Sequence, residues 1–209
     1  MRFQSLQKTP PPSLAGIVFQ HVGQQIVDGE LAPGDSISDN ALAAALGVSR
    51  TPVREALQRL ERIGMIEFAP SRFTRVTSLT PEDISHWREY VGHQLSPLVR
   101  TAAARFTEED RSEAADRVDE IAAAGADSER RARASTELYA HLAAHSLNDV
   151  HRMMLRETSF AMTRALGAWV IDAELSEQVA RSLGRLSAAL RSADGDAAER
   201  SVRAAYLID

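Results

Sequence analysis

The sequence predicts a mainly α protein with an N-terminal winged helix-turn-helix followed by a C-terminal all-α helical bundle. Near its start, three segments with apolar residues at helical spacing precede two short β-prone runs. From residue 81 onward the chain is Ala-rich and keeps a helical period. With 209 residues, 44% of them hydrophobic, it can bury two cores. We therefore divide it into an extended arm (1–12), the winged helix-turn-helix (13–76), a linker (77–80) and the helical domain (81–209).

The first two predicted helices are bounded by recognisable start and stop residues. The first begins at Ser13 and stops near Gly29. Its apolar positions at helical spacing are Leu14, Ile17, Val18, Val22 and Ile26. A short second helix covers residues 39–46, with Ser38 as a side chain that can cap it and Gly47 as its end.

The third predicted helix, residues 50–63, separates an apolar face from a polar one. The apolar stripe follows the spacing i, i+3, i+4, i+7 at Val53, Ala56, Leu57 and Leu60. On a helical wheel, Thr51, Arg54 and Gln58 fall well away from this stripe. An Arg side chain can donate two hydrogen bonds to a guanine edge in the major groove. The helix is therefore a candidate for DNA recognition.

Charge is unevenly distributed along the chain. The whole sequence carries a net charge of -5 with a pI near 5.7, which by itself argues against a nucleic-acid binder. Residues 1–80, however, carry a net +1 and the remainder -6. Six Arg lie between residues 50 and 75. The third helix and the two β-prone runs, 65–68 and 73–76, thus form a local basic patch.

Cysteine and apolar runs exclude several classes of site. The sequence contains no Cys, which excludes disulfides, thiolate zinc sites and thiol nucleophiles. No apolar run is long enough for a signal peptide or a membrane helix. We therefore expect a cytoplasmic protein without a membrane partner.

Residues 13–80 resemble the winged-helix domain of the GntR family of bacterial transcription regulators. The resemblance is carried by the stretches 26–35, 37–38, 42–57, 59–61 and 64–66. It implies DNA contacts from the start of the third helix, at Ser49, Arg50, Thr51, Pro52 and Arg54. It also implies that the wing tip, here Ser71 and Arg72, enters the minor groove. Asn40 stands where many members have an Arg that contacts DNA, and Ser71 stands where the wing often has Gly.

The helical domain resembles the FadR-type subfamily, and six predicted helices suit its smaller, VanR-like branch. Residues 138–153 carry the resemblance, with Leu142, Ser146 and Asn148 in matching places. The subfamily commonly binds a metal through one Asp and three His. In this sequence those four places hold Ser135, Tyr139, Leu183 and Tyr206. Such side chains do not form a usual divalent-metal site, so we expect no metal cofactor.

Two interpretations of these four positions remain open. A buried Tyr hydroxyl needs a hydrogen-bond partner. Tyr139 and Tyr206, together with Ser135, can therefore line a pocket for a small organic effector of unknown identity. Alternatively, the same side chains fill the space as ordinary core.

A second polar set lies on the helix predicted at residues 129–146. Glu137, His141 and His145 are spaced four apart, which can bring ligands together on a metal. His141, however, lies about 200° around the helix from Tyr139, which is on the predicted inward face. We therefore interpret the three as solvent-facing side chains.

These observations favour a sequence-specific DNA-binding transcription regulator. Family resemblance implies a ligand-responsive repressor that binds an inverted-repeat operator in double-stranded DNA as a homodimer. The alternatives are an enzyme housed in the helical domain and a protein-interaction module, each with the winged helix as an appendage. No pairing of carboxylates, or of nucleophile and base, is evident in the sequence. A salt-dependent, sequence-selective DNA mobility shift would distinguish a transcription regulator from an enzyme or a protein-interaction module.

Overall fold

The described residues, 13–69, 72–146 and 148–208 of a computed structural model, are mostly helical with one two-stranded sheet. The predicted arm lies outside them. The chain divides into two units between Ser78 and Leu79, within the predicted linker. The elements are α1 Leu14–Val27, α2 Asp39–Leu46, α3 Arg50–Arg62, β1 Ile66–Ala69, β2 Phe73–Val76, α4 Pro81–Arg105, α5 Glu108–Ala123, α6 Ser128–His145, α7 Asp149–Ala168, α8 Ala173–Arg191 and α9 Gly195–Ala205.

Short-range hydrogen bonds define the helix ends of the N-terminal unit. The Ser13 hydroxyl accepts from the Gly16 N–H at 3.0 Å, and the Ser38 hydroxyl accepts from the Ala41 N–H at 3.2 Å. Gly47 ends α2 in the left-handed region, with φ 65°, where a side chain would be strained. These caps satisfy backbone groups that a helix end otherwise leaves without partners.

The core of the N-terminal unit lies between α1 and α3. Its fully buried side chains include Phe19, Val22, Leu57, Leu60 and Met65. Within α1, Leu14 and Ile17 are 56% and 48% exposed, so two of the five apolar positions found in the sequence lie outside this core. The buried face of α1 also includes Phe19, which lies beside Ile26 on the helical wheel.

The wing is the antiparallel hairpin of β1 and β2. Its register pairs Ile66 with Val76 and Ala69 with Phe73. An isolated antiparallel bridge between Ser36 and Arg75 pairs the segment before α2 with β2.

The C-terminal unit is a helical bundle. Its helices pack as neighbours in the pairs α6–α7, α8–α9, α4–α9, α5–α8 and α5–α6. A capping box starts α4, because the Thr80 hydroxyl accepts from the Asp83 N–H and the Asp83 carboxylate accepts from the Thr80 N–H. Among the described helices, none combines the length and apolarity needed to span a membrane.

Helix α4 contains a proline, Pro97, in its C-terminal half. Pro97 has no N–H, so the carbonyl of His93 lacks the donor that would normally complete this turn. Pro97 is exposed, and water can reach that side of the helix.

The expectation that His141 faces solvent is wrong. His141 is only 6% exposed, because α5 covers that face of α6. Its Nε2 donates to the Asp110 carbonyl at 3.1 Å, and its Nδ1 lies 3.6 Å from the Glu113 carboxylate. Burial lowers the pKa of His141, which favours its neutral form. Glu137 and His145 are exposed, as expected.

Candidate nucleic-acid interface and buried cavity

Helix α3 presents a polar face to solvent opposite its core face. Thr51, Arg54 and Gln58 are exposed, whereas the four residues of the predicted apolar stripe are buried. Ser49 occupies the N-cap position and makes no capping hydrogen bond with its side chain. Pro52 sits in the first turn, where a missing N–H costs no helical hydrogen bond. The exposed groups thus suit contact with a base edge or a phosphate.

An ion pair ties the start of α3 to the start of α2. The Arg50 Nη2 lies 2.8 Å from the Asp39 carboxylate, and the hydrogen bond from Arg50 lowers the pKa of Asp39. Both groups reach solvent, with 58% of the Arg50 side chain and 29% of the Asp39 side chain exposed. Asn40 follows Asp39 in the first turn of α2 and is exposed. The pair therefore positions Arg50 at the surface beside the second helix.

Three arginines line one concave surface between α2, α3 and the wing. Arg50 and Arg54 come from α3, and Arg72 comes from the turn before β2. Phe68 and Phe73 of the wing line the same surface. Of the two predicted wing-tip residues, Arg72 is exposed, and Ser71 lies outside the described residues. This groove collects positive charge from parts of the chain about 20 residues apart.

Two further arginines of the predicted basic patch, Arg59 and Arg75, have partners within their own unit. Arg75 pairs with Glu67 at 2.6 Å and stacks over Phe73 with 4.2 Å to the ring centroid. Arg59 lies 4.1 Å over the ring of Phe19 on α1. These side chains stabilise the wing and the contact between α1 and α3. Of the six arginines in the patch, three therefore line the groove, where Arg50 is paired with Asp39, and two stabilise the fold of the N-terminal unit.

The helical unit brings three of the four predicted pocket residues to one small cavity. Ser135, Leu183 and Tyr206 line it. Tyr139 is fully buried on the same helix as Ser135 but does not line this cavity. About 10 Å³ is open to the centre of a water-sized sphere, which is room for roughly one water molecule. The four residues are thus all interior, and three of them converge.

The cavity contains a cation that sequence reasoning missed. Arg131 lines it and is only 6% exposed. Its Nη1 donates to the Gly125 carbonyl at 3.0 Å, and its Nη2 donates to the Trp169 carbonyl at 2.6 Å. Arg131 precedes Ser135 by four residues, so helical spacing places both on one face of α6. That spacing was the available signal, but a charged side chain is seldom expected in a core.

Two buried phenols lack hydrogen-bond partners. The hydroxyls of Tyr139 and Tyr206 are both inaccessible and accept or donate no hydrogen bond among the described residues. Burial raises the pKa of each to about 12, so both are neutral phenols near neutral pH. At Tyr206 the nearby Ser135 hydroxyl and the Arg131 guanidinium oppose that rise. The Tyr206 hydroxyl therefore lies near two polar groups without being satisfied by either.

These residues do not fit the metal that the subfamily resemblance implies. Ser135, Leu183 and Tyr206 provide no carboxylate or imidazole, and the permanently charged Arg131 would repel a cation. Throughout the described part of the chain, no group of three or more His, Cys, Asp or Glu side chains converges as metal ligands.

Comparison with known proteins matches both units. The family model for bacterial regulatory proteins of the gntR family matches residues 14–76, and the FCD domain matches residues 96–206. An HTH-type transcriptional regulator of Streptomyces ambofaciens is 38% identical over 68 residues, which are 32% of this chain and 29% of that protein. The HTH-type transcriptional regulator Mce2R of Mycobacterium tuberculosis is 38% identical over 73 residues, 34% of this chain and 30% of that one. The matched stretch thus spans less than a third of either relative.

A solved structure extends the likeness to the whole fold. Escherichia coli McbR/YncC superposes with a TM-score of 0.65 at 23% identity, covering 93% of this chain and 94% of that one. At this identity the likeness shows a shared fold. The family assignment rests on the two matched domains, of which the FCD domain alone covers more than half of the chain. The chain belongs to the gntR family of bacterial regulatory proteins, with an FCD domain behind its winged helix-turn-helix.

Proposed function

We propose that this protein is a transcription regulator that binds double-stranded DNA through α3 and the wing. The observation that carries the proposal is the groove lined by Arg50, Arg54 and Arg72, next to the exposed polar face of α3. A helix of this kind fits the major groove, and a basic wing can reach the neighbouring backbone or minor groove. Membership of the gntR family supports the same conclusion.

The proposal extends to assembly, to the sign of regulation and to location. Two copies related by a two-fold axis would place two α3 helices on the half-sites of an inverted repeat. We assign the protein as a repressor that acts in the cytoplasm, where the DNA is. An enzymatic function is disfavoured, because the chain belongs to a family of regulatory proteins and its relatives are named as transcriptional regulators.

The helical unit is proposed to bind a small organic effector in the cavity beside Tyr206. A buried, unsatisfied hydroxyl and a buried guanidinium facing one space support binding over simple filling. A ligand there can regulate DNA binding only if it favours one conformation of the protein over another. We assign no metal to this unit.

Arg54 provides the direct test of DNA binding. Genomic fragments selected by the purified protein would yield an operator, and fluorescence anisotropy would measure its affinity. Arg54→Ala should weaken operator binding by about 1–3 kcal/mol if Arg54 contacts a base, and it should relax the preference at that position. Affinity of the unaltered protein should fall steeply as salt is raised, because phosphate contacts release counterions.

Arg185 serves as the matched control. It is an exposed Arg in α8 of the helical unit, so Arg185→Ala removes the same charge far along the chain from α3. This variant should bind the operator like the unaltered protein. Equal affinities for Arg54→Ala and Arg185→Ala would contradict the proposed role of α3.

A further inference from the structure

We propose that Asp39 and Arg50 read DNA sequence as a pair, in which Arg50 donates to a guanine edge and Asp39 accepts from the N4 amino group of a cytosine beside it. This inference rests on the proposed DNA binding and deepens it, because it names two bases that the operator must contain. It also assigns a role to an acidic side chain in a groove proposed to bind a polyanion.

The first argument is the position of an acid in a basic groove. Asp39 lines the groove together with its three arginines, and it is the single acid among the described residues there. The hydrogen bond from Arg50 holds the pKa of Asp39 below its ordinary value, so the carboxylate is ionised at neutral pH. A fixed negative charge repels phosphates, whereas the amino group of cytosine donates to a carboxylate. The carboxylate therefore suits the base edges of the major groove better than the DNA backbone.

The second argument is the donor capacity that remains on Arg50. Its Nη2 donates to Asp39 at 2.8 Å, which uses one of the five N–H groups of a guanidinium. The side chain is 58% exposed. A guanine presents two acceptors in the major groove, N7 and O6, which a guanidinium can bind with two N–H groups. Arg50 can therefore bind guanine without releasing Asp39.

The third argument is the charge of the ion pair. A guanidinium paired with a carboxylate carries no net charge with its partner, so it attracts phosphate less than an unpaired one does. Within the described residues, neither Arg54 nor Arg72 has a carboxylate within 4 Å, and these two keep the positive charge of the groove. Base edges carry no net charge and are distinguished by the positions of their donors and acceptors. The pairing thus favours a base contact for Arg50 over a backbone contact.

The fourth argument is that the pair is held in place before DNA binds. Asp39 is the first residue of α2 and Arg50 is the first residue of α3, and these two helices pack against each other. The backbone N–H of Asn40 also stabilises the carboxylate. A carboxylate has about four acceptor positions, so places remain for a cytosine amino group. Side chains that are already oriented lose less conformational entropy on binding.

The test begins with the bases that the full-length protein selects. An operator is selected from a random duplex library, each base pair is then exchanged singly, and affinities are measured by fluorescence anisotropy at one salt concentration. Exchange of one guanine, or of a cytosine beside it, should weaken binding by roughly 5- to 150-fold. Two modified bases test the atoms involved, since 7-deazaguanine lacks the N7 acceptor and N4-methylcytosine carries a methyl group on the amino nitrogen. Each should weaken binding by about fivefold or more at its own place.

Variants of the pair then assign these preferences to the protein. Asp39→Ala should relax the preference for both bases, because Arg50 also loses the group that orients it. In an Arg50→Ala background, Asp39→Ala should cause no further loss of the guanine preference. Binding to an alternating A·T duplex should stay equal or become tighter in Asp39→Ala, because a charge that repels phosphates is removed.

Glu61 provides the matched control. It is an exposed acid in the last turn of α3, about 16 Å along the helix axis from Arg50. Glu61→Ala removes the same charge from the same unit and should leave the preference at every base pair unchanged.

The outcomes separate this inference from the DNA-binding proposal. Base preferences that are the same in Asp39→Ala and Glu61→Ala would overturn the reading pair, and so would equal weakening at every base pair. Tighter operator binding with unchanged preferences would also overturn it and leave Asp39 as a repulsive charge alone. Insensitivity of the unaltered protein to N4-methylcytosine would do so even if Asp39→Ala does not fold. A protein that selects no operator would refute the proposed regulator together with the pair.

Discussion

Replacing Gly92 with Ala should destabilise the helical unit, although a Gly-to-Ala change inside a helix usually stabilises the protein. Ala favours a helix interior over Gly by about 1 kcal/mol. At Gly92, however, an added Cβ would lie 2.7 Å from Ile208 Cδ1 and 2.9 Å from Tyr206 Cβ. The Ile208 atom can rotate away, but Tyr206 Cβ cannot, because Arg88 donates to the carbonyls of Tyr206 and Leu207 at 3.1 and 3.0 Å.

The expected magnitude follows from these two opposing terms. Overpacking of a tight contact costs about 1–3 kcal/mol. After the helix preference is subtracted, Gly92→Ala should lose roughly 0–2 kcal/mol of the free energy of unfolding. Gly184 in α8 supplies a matched control, because its added Cβ would meet nothing within 4 Å. Gly184→Ala should therefore gain up to about 1 kcal/mol.

The difference between the two variants isolates the steric term, since the helix preference is common to both. It should be about 1–3 kcal/mol, or at least roughly 2 °C in Tm for a chain of this size, measured by circular dichroism at 222 nm. A Gly92→Ala protein as stable as Gly184→Ala would refute the argument. It would mean that the C-terminal turn can withdraw from α4 at no cost.

Three smaller predictions concern caps, protonation and surface charge. Thr80→Ala removes the capping box of α4 and should lower the free energy of unfolding, measured by urea titration, by about 1 kcal/mol. Because the hydrogen bonds from Thr80 lower the pKa of Asp83, this variant should also lose less stability than the unaltered protein as pH falls below about 4. Burial lowers the pKa of His141, so the unfolded chain binds more protons than the folded chain below about pH 6.5. Tm should therefore fall as pH is lowered through this range, and His141→Gln should flatten the dependence. Arg191→Ala breaks two exposed ion pairs to α5 and should cost under about 1 kcal/mol in the same urea titration, a larger loss indicating a rigid charge network.

The parts of the fold that were predictable from sequence depend on local chemistry. The bounds of α2 coincide with the prediction because Ser38 and Gly47 act within one turn of the helix they delimit. The two β-prone runs pair as expected, although β1 starts at Ile66, one residue later than its apolar pattern. The exposed face of α3 also followed from its wheel, since a narrow apolar stripe fixes which side is buried.

Features that depend on distant packing were not predictable in this way. His141 lies outside the apolar face of α6 on the wheel, but α5 covers it, and a wheel for one helix has no information about a second contact surface. Arg131 is buried by the loop after α7, 38 residues later in the chain. Leu14 and Ile17 have the correct spacing for a core face but lie at its exposed margin.

Pro97 removes one backbone hydrogen bond from α4, the longest helix of the described chain. The backbone before Pro97 has one hydrogen bond fewer than its neighbours, so amide protons of that turn should exchange with deuterium sooner than those two turns away. A helix can bend at a turn that lacks a hydrogen bond while its other turns stay intact. Because Leu95, Leu98 and Val99 beside this turn are buried in the core of the helical unit, any bending there has to be accommodated by the packing of the bundle.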